Sequence, residues 1–364
     1  MTNREQEILE LIRKNPAISQ KDLAKALGIT RSSVGVHITN LIKKGHILGK
    51  GYVLNQEEYV TIIGGSNMDI IGFPNNVLID NDSNPGKVKL TLGGVGRNIG
   101  ENLVKLGVKT KLISAVGDDI HGKKILEHAL RIGLDMKDTY FSSSTPTSTY
   151  LAILDEIGDM KVAIAHMDIF EKISTEFIEE KKQLIENSKL CILDTNIPQD
   201  VLFYALDNFK NTDFFLDTVS TTKALKIKDR IGAFHSIKPN KIEAELLSGI
   251  KINKITDLKK VSEFFLEKGV KKVYITLGDK GVFYNDGTNS TLISNPVVNV
   301  VNATGAGDAF VAALAYCHCN NLSIDETVRF AMSASILALS SPETINPEMS
   351  EENVYKKMKE IGLC

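Results

Sequence analysis

From Tyr59 onward, short apolar runs that read as strands alternate with amphipathic segments that read as helices. "YVTIIGGSNMDII" is a buried strand running into a Gly-Gly turn, "GRNIGENLVKLG" a helix, "KTKLISAVG" a strand and "GKKILEHALRIG" a helix. The rhythm recurs in "KLCILDTNI", "TDFFLDTV", "AFHSIKPN" and "VKKVYITLGDKGVFY", with helices between them. Strands separated by helices can pair in parallel, so the alternation predicts an α/β fold with a mainly parallel sheet. Ligands of such folds bind beyond the carboxyl ends of the strands. The polar residues expected there are Asn67 and Asp69, Asp194 and Asn196, Asp217, Asn240, and Thr276 with Gly278.

The first 55 residues lack that rhythm. "REQEILELIRKN" places Ile8, Leu9, Leu11 and Ile12 at helical spacing and stops at Asn15-Pro16. "ISQKDLAKALGI" follows, with Ser19 as N-cap, Leu23, Ala24 and Leu27 as its buried stripe, and Gly28 as its stop. "TRSSVGVHITNLIKKG" begins almost at once, capped by Thr30, with Val34, Ile38, Leu41 and Ile42 as core. "HILGKGYVLN" alternates apolar residues around Gly49-Lys50-Gly51, a hairpin signal. Helix, helix-turn-helix and hairpin together resemble a winged helix-turn-helix DNA-binding domain of the kind found in bacterial transcription regulators. That resemblance implies base contacts from Arg31, Ser32, Ser33 and His37 on the recognition helix, and phosphate contacts from Lys43, Lys44 and Lys50. The other reading of the same pattern is a small helical module for dimerisation or autoregulation.

Charge sharpens the division. Residues 1–55 hold nine Lys or Arg against four acids, a net +5; the whole 364-residue chain is −2, so the remainder carries −7. A basic module with an anionic partner, attached to an acidic body, fits that asymmetry. The division expected is 1–56 for the small domain and 57–364 for the body. No apolar run reaches the roughly 18 residues that a membrane span needs, and "MTNREQEILE" is charged where a signal peptide is apolar, so a cytoplasmic protein is expected. Cys191, Cys317, Cys319 and Cys364 have neither metal-ligand spacing nor a disulfide framework, and are expected to be reduced, buried thiols.

Two glycine-rich stretches remain. "GGVGRNIG" spaces its glycines one residue too long for a dinucleotide fingerprint, and GxxxxGK[ST] is absent. Gly93-Gly94 can instead bring backbone close to a ligand, with Asn98 on the first turn of the helix that follows. In "VNATGAGDAF", Gly305, Ala306 and Gly307 stand where the extended apolar run "NPVVNVV" meets a helix. Without bulky side chains there, the amides that open the helix can converge on an anion, helped by the helix dipole. Asp308 cannot neutralise an incoming phosphate; it can accept a proton from a hydroxyl that attacks the phosphate. This is the arrangement expected of a phosphoryl-transfer site; the other reading of the same residues is a capped helix entry with Asp in its first turn.

"GGVGRN", "KPNKIEAELLSG", "TLGDKGVF" and "NATGAGDAF", in that order, resemble the ribokinase-like (PfkB) family of sugar and nucleoside kinases from about Glu58 to Cys364. The resemblance implies a three-layer α/β/α domain with a small β-sheet lid, and MgATP as phosphoryl donor. It implies Asp308 as catalytic base, and Gly305, Ala306 and Gly307 as anion hole. Asn240 and Glu243 would organise Mg²⁺ through its waters, Thr276, Gly278 and Gly281 would line the ATP site, and Asp69, Gly94 and Asn98 would hold sugar hydroxyls. Two positions depart from the family pattern: Asn302 replaces an Asp that helps bind a monovalent cation, which leaves potassium dependence open, and Asp217 is followed by Thr218 rather than Pro.

Within the family, "DSNPGKVKLTLGGVGRNIGENL", "TSTYLAILDEIGDM", "IKPNKIEAELLSGI" and "VVNVVNATGAGDA" are more similar to bacterial pseudouridine kinases than to ribokinase or fructokinase. That implies phosphorylation of a nucleoside 5′-hydroxyl, pseudouridine first. Ser83–Lys89 and Thr145–Met167 would then belong to the lid, with Lys161, His166 and Asp168 as candidates for base-side contacts. The alternatives are inosine, cytidine, ribose or fructose as acceptor, or a ligand-sensing transcription regulator with a kinase-like body. A homodimer is expected.

Overall fold

The structure is a computed structural model and describes residues 1–49 and 58–364. It divides into two compact units, Met1–Glu58 with Gln183–Asn187, and Tyr59–Lys182 with Ser188–Cys364.

The small unit holds three helices, α1 (Asn3–Lys14), α2 (Gln20–Leu27) and α3 (Arg31–Lys43). Each starts where a hydroxyl satisfies an otherwise unpaired amide. Thr2 and Glu5 form a capping box, Ser19 accepts from Asp22 N–H, and Thr30 accepts from Ser33 N–H. Gly28 ends α2 in the left-handed conformation, φ 64°, which lets the chain turn at once into α3. Ile8, Ile12, Leu23, Val34, Ile38 and Leu41 form the core. Ile42, expected in that core, is exposed, because the stripe of α3 runs through Val34, Ile38 and Leu41. The expected hairpin lies largely outside the described residues, as does Lys50.

The large unit is built on an eight-stranded sheet. Its strands are β1 (Val60–Ile63), β2 (Asn67–Pro74), β3 (Gly86–Gly93), β4 (Thr110–Ile113), β5 (Ala115–Gly117), β6 (Tyr140–Ser142) and β7 (Thr149–Leu154). They continue through β8 (Met160–His166), β9 (Cys191–Asp194), β10 (Phe214–Asp217), β11 (Ser236–Ile237), β12 (Lys272–Thr276), β13 (Val282–Asn285) and β14 (Ser290–Ile293). The main sheet runs β14-β13-β12-β11-β10-β9-β1-β4, parallel from β12 to β4 and antiparallel at the β13 and β14 edge. β1, β9 and β10 are buried throughout, as strands covered on both faces must be. Helix Ala306–Cys319 is buried without interruption from Ala309 to Cys317; its alanines let it pack closely on helices Ile324–Leu339 and Val95–Lys105.

A second sheet, β3-β2-β7-β8, stands as a lid. It carries Lys87 to Lys89 and most of the 145–167 segment, as expected for the lid. Asn67 and Asp69 were expected just past a strand end; they lie on β2 of this lid, because Gly64, Gly65 and Ser66 break the first strand. "KTKLISAVG" likewise divides at Ser114 into β4 and β5, the latter pairing with β6. The run "NPVVNVV" forms no strand; Pro296 offers no N–H to a ladder, and Val297, Val300 and Val301 are exposed. Among the described residues no disulfide links the four cysteines, but Cys364 is exposed and Cys319 half-buried, contrary to expectation. Among the described residues, no helix is long and apolar enough to cross a membrane.

Candidate active site

At the carboxyl ends of the parallel strands, the polar residues converge. Gly305 caps helix Ala306–Cys319 at φ 84°, and a Cβ there would strike the Thr344 carbonyl. The first bond of the helix ladder runs from Ala309 N–H to Gly305 O, so the amides of Ala306, Gly307 and Asp308 precede the ladder. Their N–H groups are free to receive an anion.

Asp308 sits at the third position of that helix, and its Oδ2 accepts from Asn98 Nδ2 at 2.8 Å. Burial, then the neighbouring Asp217 carboxylate, push its pKa up to about 7, against the pull of Asn98 and Lys238. A carboxyl poised there can exchange a proton near neutrality. Lys238, which sequence reasoning passed over inside "IKPN", lies beside both acids. Its Nζ is 3.5 Å from Asp217 Oδ2, and 3.2 Å from where a Cβ on Gly307 would stand. Burial works against the ammonium, yet Asp217, Asp308 and Glu243 outweigh it and raise its pKa. A held cation thus stands next to the three open amides.

Behind Asn98 lies a buried chain that the sequence did not announce. Arg97 Nη1 donates to Asn98 Oδ1 at 2.9 Å and to Leu92 O at 2.9 Å, while Nη2 pairs with Glu101. Close backbone packing makes room for this. Gly94 has φ 100°, and a Cβ on it would lie 2.5 Å from Gly65 O; Gly96 is packed equally tightly on Gly64. Gly93 likewise leaves the Asp69 carboxylate its place. Asn67 Nδ2 donates to Asp69 Oδ1 at 2.5 Å, and burial raises the Asp69 pKa despite that bond and Arg97. Asp69, Gly94 and Asn98 are therefore gathered along one wall, where β2 and β3 meet the helix that starts at Val95.

Asn240 and Glu243 form a capping box on helix Lys241–Ser248, with Asn240 Oδ1 accepting from Glu243 N and Glu243 Oε2 from Asn240 N, both at 2.9 Å. Thr218 donates its hydroxyl to the same Oε2 at 2.6 Å. Val219 follows at φ 57°, a strained value for a β-branched residue, and its N–H bonds Asp217 Oδ1 at 2.8 Å. A cavity of about 750 Å³ joins Asn240, Thr276, Gly278 and Gly281 to Ala306 and Gly307, with Phe310, Met332 and Ile336 as apolar wall. Gly281 has φ 106°, and a Cβ there would invade Ile293 O, so only glycine keeps that wall open. Asn302 accepts from Thr304 N–H at 2.9 Å and donates to Pro342 O at 3.3 Å, a donation that no carboxylate could make.

Some expected residues are not part of this gathering. Lys161 is exposed on lid strand β8, and His166 Nε2 is 3.8 Å from Asp168 Oδ2 at the end of that strand. In the small unit, Arg31, Ser32 and Lys43 are exposed, and Ser33 and His37 are half-buried. Lys44 Nζ lies 2.8 Å from the buried Glu5 carboxylate, so its charge is already matched.

The pfkB family carbohydrate kinase pattern matches residues 57–351, and a winged helix-turn-helix DNA-binding pattern matches residues 1–47. The pseudouridine kinase of Escherichia coli K12 is 40% identical over 302 residues, covering 83% of this chain and 96% of its own. An uncharacterized sugar kinase of the same strain is 33% identical over 97% of this chain and 98% of its own. Arabidopsis thaliana ribokinase, solved with ribose and ATP, has the same fold, with a TM-score of 0.74 over 84% of this chain and 99% of its own at 22% identity. An alcohol-accepting phosphotransferase site, a ribokinase-like fold and a match along nearly the whole large unit agree: the chain belongs to the pfkB family of carbohydrate kinases.

Proposed function

We propose that this protein transfers the γ-phosphoryl group of ATP to the 5′-hydroxyl of a nucleoside, pseudouridine first, through a kinase domain spanning 57–364. The observation that carries the reading is Asp308, a carboxyl with a pKa near 7 at the mouth of three unpaired amides. The choice of pseudouridine rests on the 40% identity to the Escherichia coli enzyme across nearly its whole length.

In this reading Asp308 accepts the 5′-hydroxyl proton as the oxygen bonds to the γ-phosphorus and the bond to the β-phosphate oxygen breaks, releasing ADP. The amides of Ala306, Gly307 and Asp308, with Lys238 beside them, receive the negative charge of the transferring group. Asp69 and Asn98 hold ribose hydroxyls, and Gly94 lets the sugar approach the backbone. Thr276, Gly278 and Gly281 line the nucleotide cavity, whose apolar wall suits an adenine. Oxygen donors at Asn240 and Glu243 suit Mg²⁺ held through water, since the hydrogen bonds from Asn240 N–H and the Thr218 hydroxyl both fall on Glu243 Oε2 and leave Oε1 for that task. Magnesium, when bound, neutralises phosphate charge.

Residues 1–56, within the small unit, read as a DNA-binding domain with Arg31, Ser32, Ser33 and His37 at base edges. The whole protein reads as a homodimer. On the lid, Leu90, Ile70, Leu151 and Ile164 stand in one cross-strand row, and Val88 and Val162 belong to the adjacent row of the same face. Apart from half-buried Ile70 these are exposed, an apolar face that a second copy would cover.

The deciding experiment is ADP release with MgATP against pseudouridine, uridine, inosine, cytidine, ribose and fructose, with Asp308→Asn as control. Selective turnover of pseudouridine is expected. Turnover of another acceptor alone would retain the kinase and discard this substrate; tight ligand binding without turnover would favour a ligand-sensing regulator.

A further inference from the structure

At the opposite end of helix Ala306–Cys319 from Asp308, three side chains from three segments face one another. Asp213 immediately precedes β10, His235 immediately precedes the adjacent parallel strand β11, and His318 lies in the last turn of the helix. Ten helical steps from Asp308 to His318 span about 15 Å, so this cluster lies at the amino ends of the strands, away from the candidate active site. His318 Nε2 is 3.2 Å and His235 Nε2 is 4.0 Å from Asp213 Oδ2, and the three candidate ligand atoms all lie within 4.8 Å of one another.

The surroundings hold the two imidazoles in place. Phe215 stacks on His235 with planes 6° apart and meets His318 edge-on, and the two histidine rings lie 4.9 Å apart. His235 Nδ1 is 2.9 Å from Ser236 Oγ. With that nitrogen donating to the hydroxyl, Nε2 keeps its lone pair toward Asp213, the outer-sphere arrangement that orients metal-binding histidines. The His235 backbone is fixed as well, its N–H bonded to Phe214 O and its carbonyl accepting from Lys271 and Lys272 N–H. A carboxylate needs only one of these imidazoles as a salt-bridge partner.

We infer that Asp213, His235 and His318 form a second metal site, selective for a borderline divalent cation of the Zn²⁺ type. Two imidazole nitrogens and one carboxylate oxygen suit zinc, with an exposed fourth position left for water. A tetrahedral ion with bonds of about 2 Å holds its ligands about 3.3 Å apart, so closure requires a shift of roughly 1 Å in side-chain ends, which half-exposed Asp213 can make. The Lys271 and Lys272 charges oppose a dication here and weaken the site without blocking it. Bound zinc ties the starts of two central strands to the far end of the helix that presents Asp308.

The test uses full-length protein stripped with a chelator and titrated with Zn²⁺ in excess Mg²⁺, followed by calorimetry, with Co²⁺ absorption as a second probe. One Zn²⁺ per chain is expected for the wild type. Affinity should fall by roughly tenfold in Ser236→Ala, and at least as far in Asp213→Asn, His235→Gln and His318→Gln. Zinc should raise the melting temperature of the wild type but not of Asp213→Asn, and ADP release without zinc should be the same in both. His121→Gln should behave as wild type. If the half-buried histidine variants fail to fold, the more exposed Asp213→Asn decides the matter. Equal zinc stoichiometry and affinity in wild type and Asp213→Asn would place the ion elsewhere and overturn the inference; so would a wild type that binds none.

Discussion

Asn98 Nδ2 donates to Asp308 Oδ2 at 2.8 Å, and Arg97 fixes the direction of that bond by donating to Oδ1 of the same amide. A guanidinium has no acceptor to offer, so the amide has one orientation and shows Asp308 its N–H side. Glu101 in turn pairs with Arg97, so a buried chain of three residues aims the group that touches the proposed base. Asn98→Asp would put two carboxyl groups in hydrogen-bond contact, where both cannot ionise together. Turnover at pH 7 should fall at least tenfold and recover in part at higher pH. An unshifted pH profile would remove Asn98 from the base's environment.

The pH dependence follows from the raised Asp308 pKa of about 7. A general base works ionised, so kcat/KM should climb with pH through about 7 and level off above it. Stability has the opposite sign. The folded state holds this proton to higher pH than the unfolded chain, whose carboxyl titrates near 4, so folding is progressively penalised as pH rises from 4 through 7. Asp308→Asn should abolish turnover while retaining nucleoside binding. It should also be more stable than wild type at pH 8 by about 1–3 kcal/mol, with the gain shrinking toward pH 4. Denaturant melts at both pH values check the sign.

Lys238 lies between Asp217 and the amides proposed as anion hole. Lys238→Met removes the cation beside the proposed phosphoryl position and leaves Asp217 buried without its counter-charge. A loss of roughly 10² to 10³ in kcat is expected, together with an upward shift of the kcat/KM profile, because one of the charges that lowers the Asp308 pKa is gone. A variant that loses rate without shifting the profile would show that Lys238 acts on the phosphate alone.

The fold class was legible because short, continuous apolar runs and segments of helical spacing alternate so regularly after Tyr59. The meeting of Asn98 with Asp308 and of Asn240 with Glu243 was prepared by motifs whose residue types suit the chemistry. Arg97 and Lys238 were not legible: Arg97 reads as a solvated helix charge until its burial against Asn98, Glu101 and Leu92 O is known, and Lys238, just past β11, until the neighbouring strand β10 brings Asp217 beside it. "NPVVNVV" misled because β-branched residues suit a strand, yet it joins no sheet and lines the cavity proposed for the nucleotide instead. The lid strand β2 was read as a strand end, since a break of two glycines and a serine leaves no periodicity to follow.

Thr218 donates a 2.6 Å hydrogen bond to Glu243 Oε2. The hydroxyl therefore helps set the carboxylate proposed to organise Mg²⁺. Thr218→Val keeps the shape and removes the donor, at a cost of about 1–2 kcal/mol in stability. Half-saturation by Mg²⁺ should move severalfold higher with little change in KM for the nucleoside. Unaltered magnesium dependence would confine Thr218 to holding the turn at Val219.

In the small unit, two neighbouring lysines should behave differently. Lys43 is exposed, whereas Lys44 pairs at 2.8 Å with Glu5, whose carboxylate Lys44 and Thr2 hold below its ordinary pKa despite burial. If Lys43 meets a phosphate, Lys43→Ala should reduce the slope of log K against log salt by about 1 and leave stability unchanged. Lys44→Ala strands a buried carboxylate and should lower the stability of the unit by roughly 1–3 kcal/mol. That loss should fade below pH 4, since a carboxyl held down in the folded state contributes stability that disappears as it is protonated. Deleting residues 1–55 should remove salt-sensitive DNA binding and spare ADP release. Gel shifts across a salt series, with melts of each variant, separate a phosphate contact from a structural ion pair: equal salt slopes for wild type and Lys43→Ala would take Lys43 off the DNA.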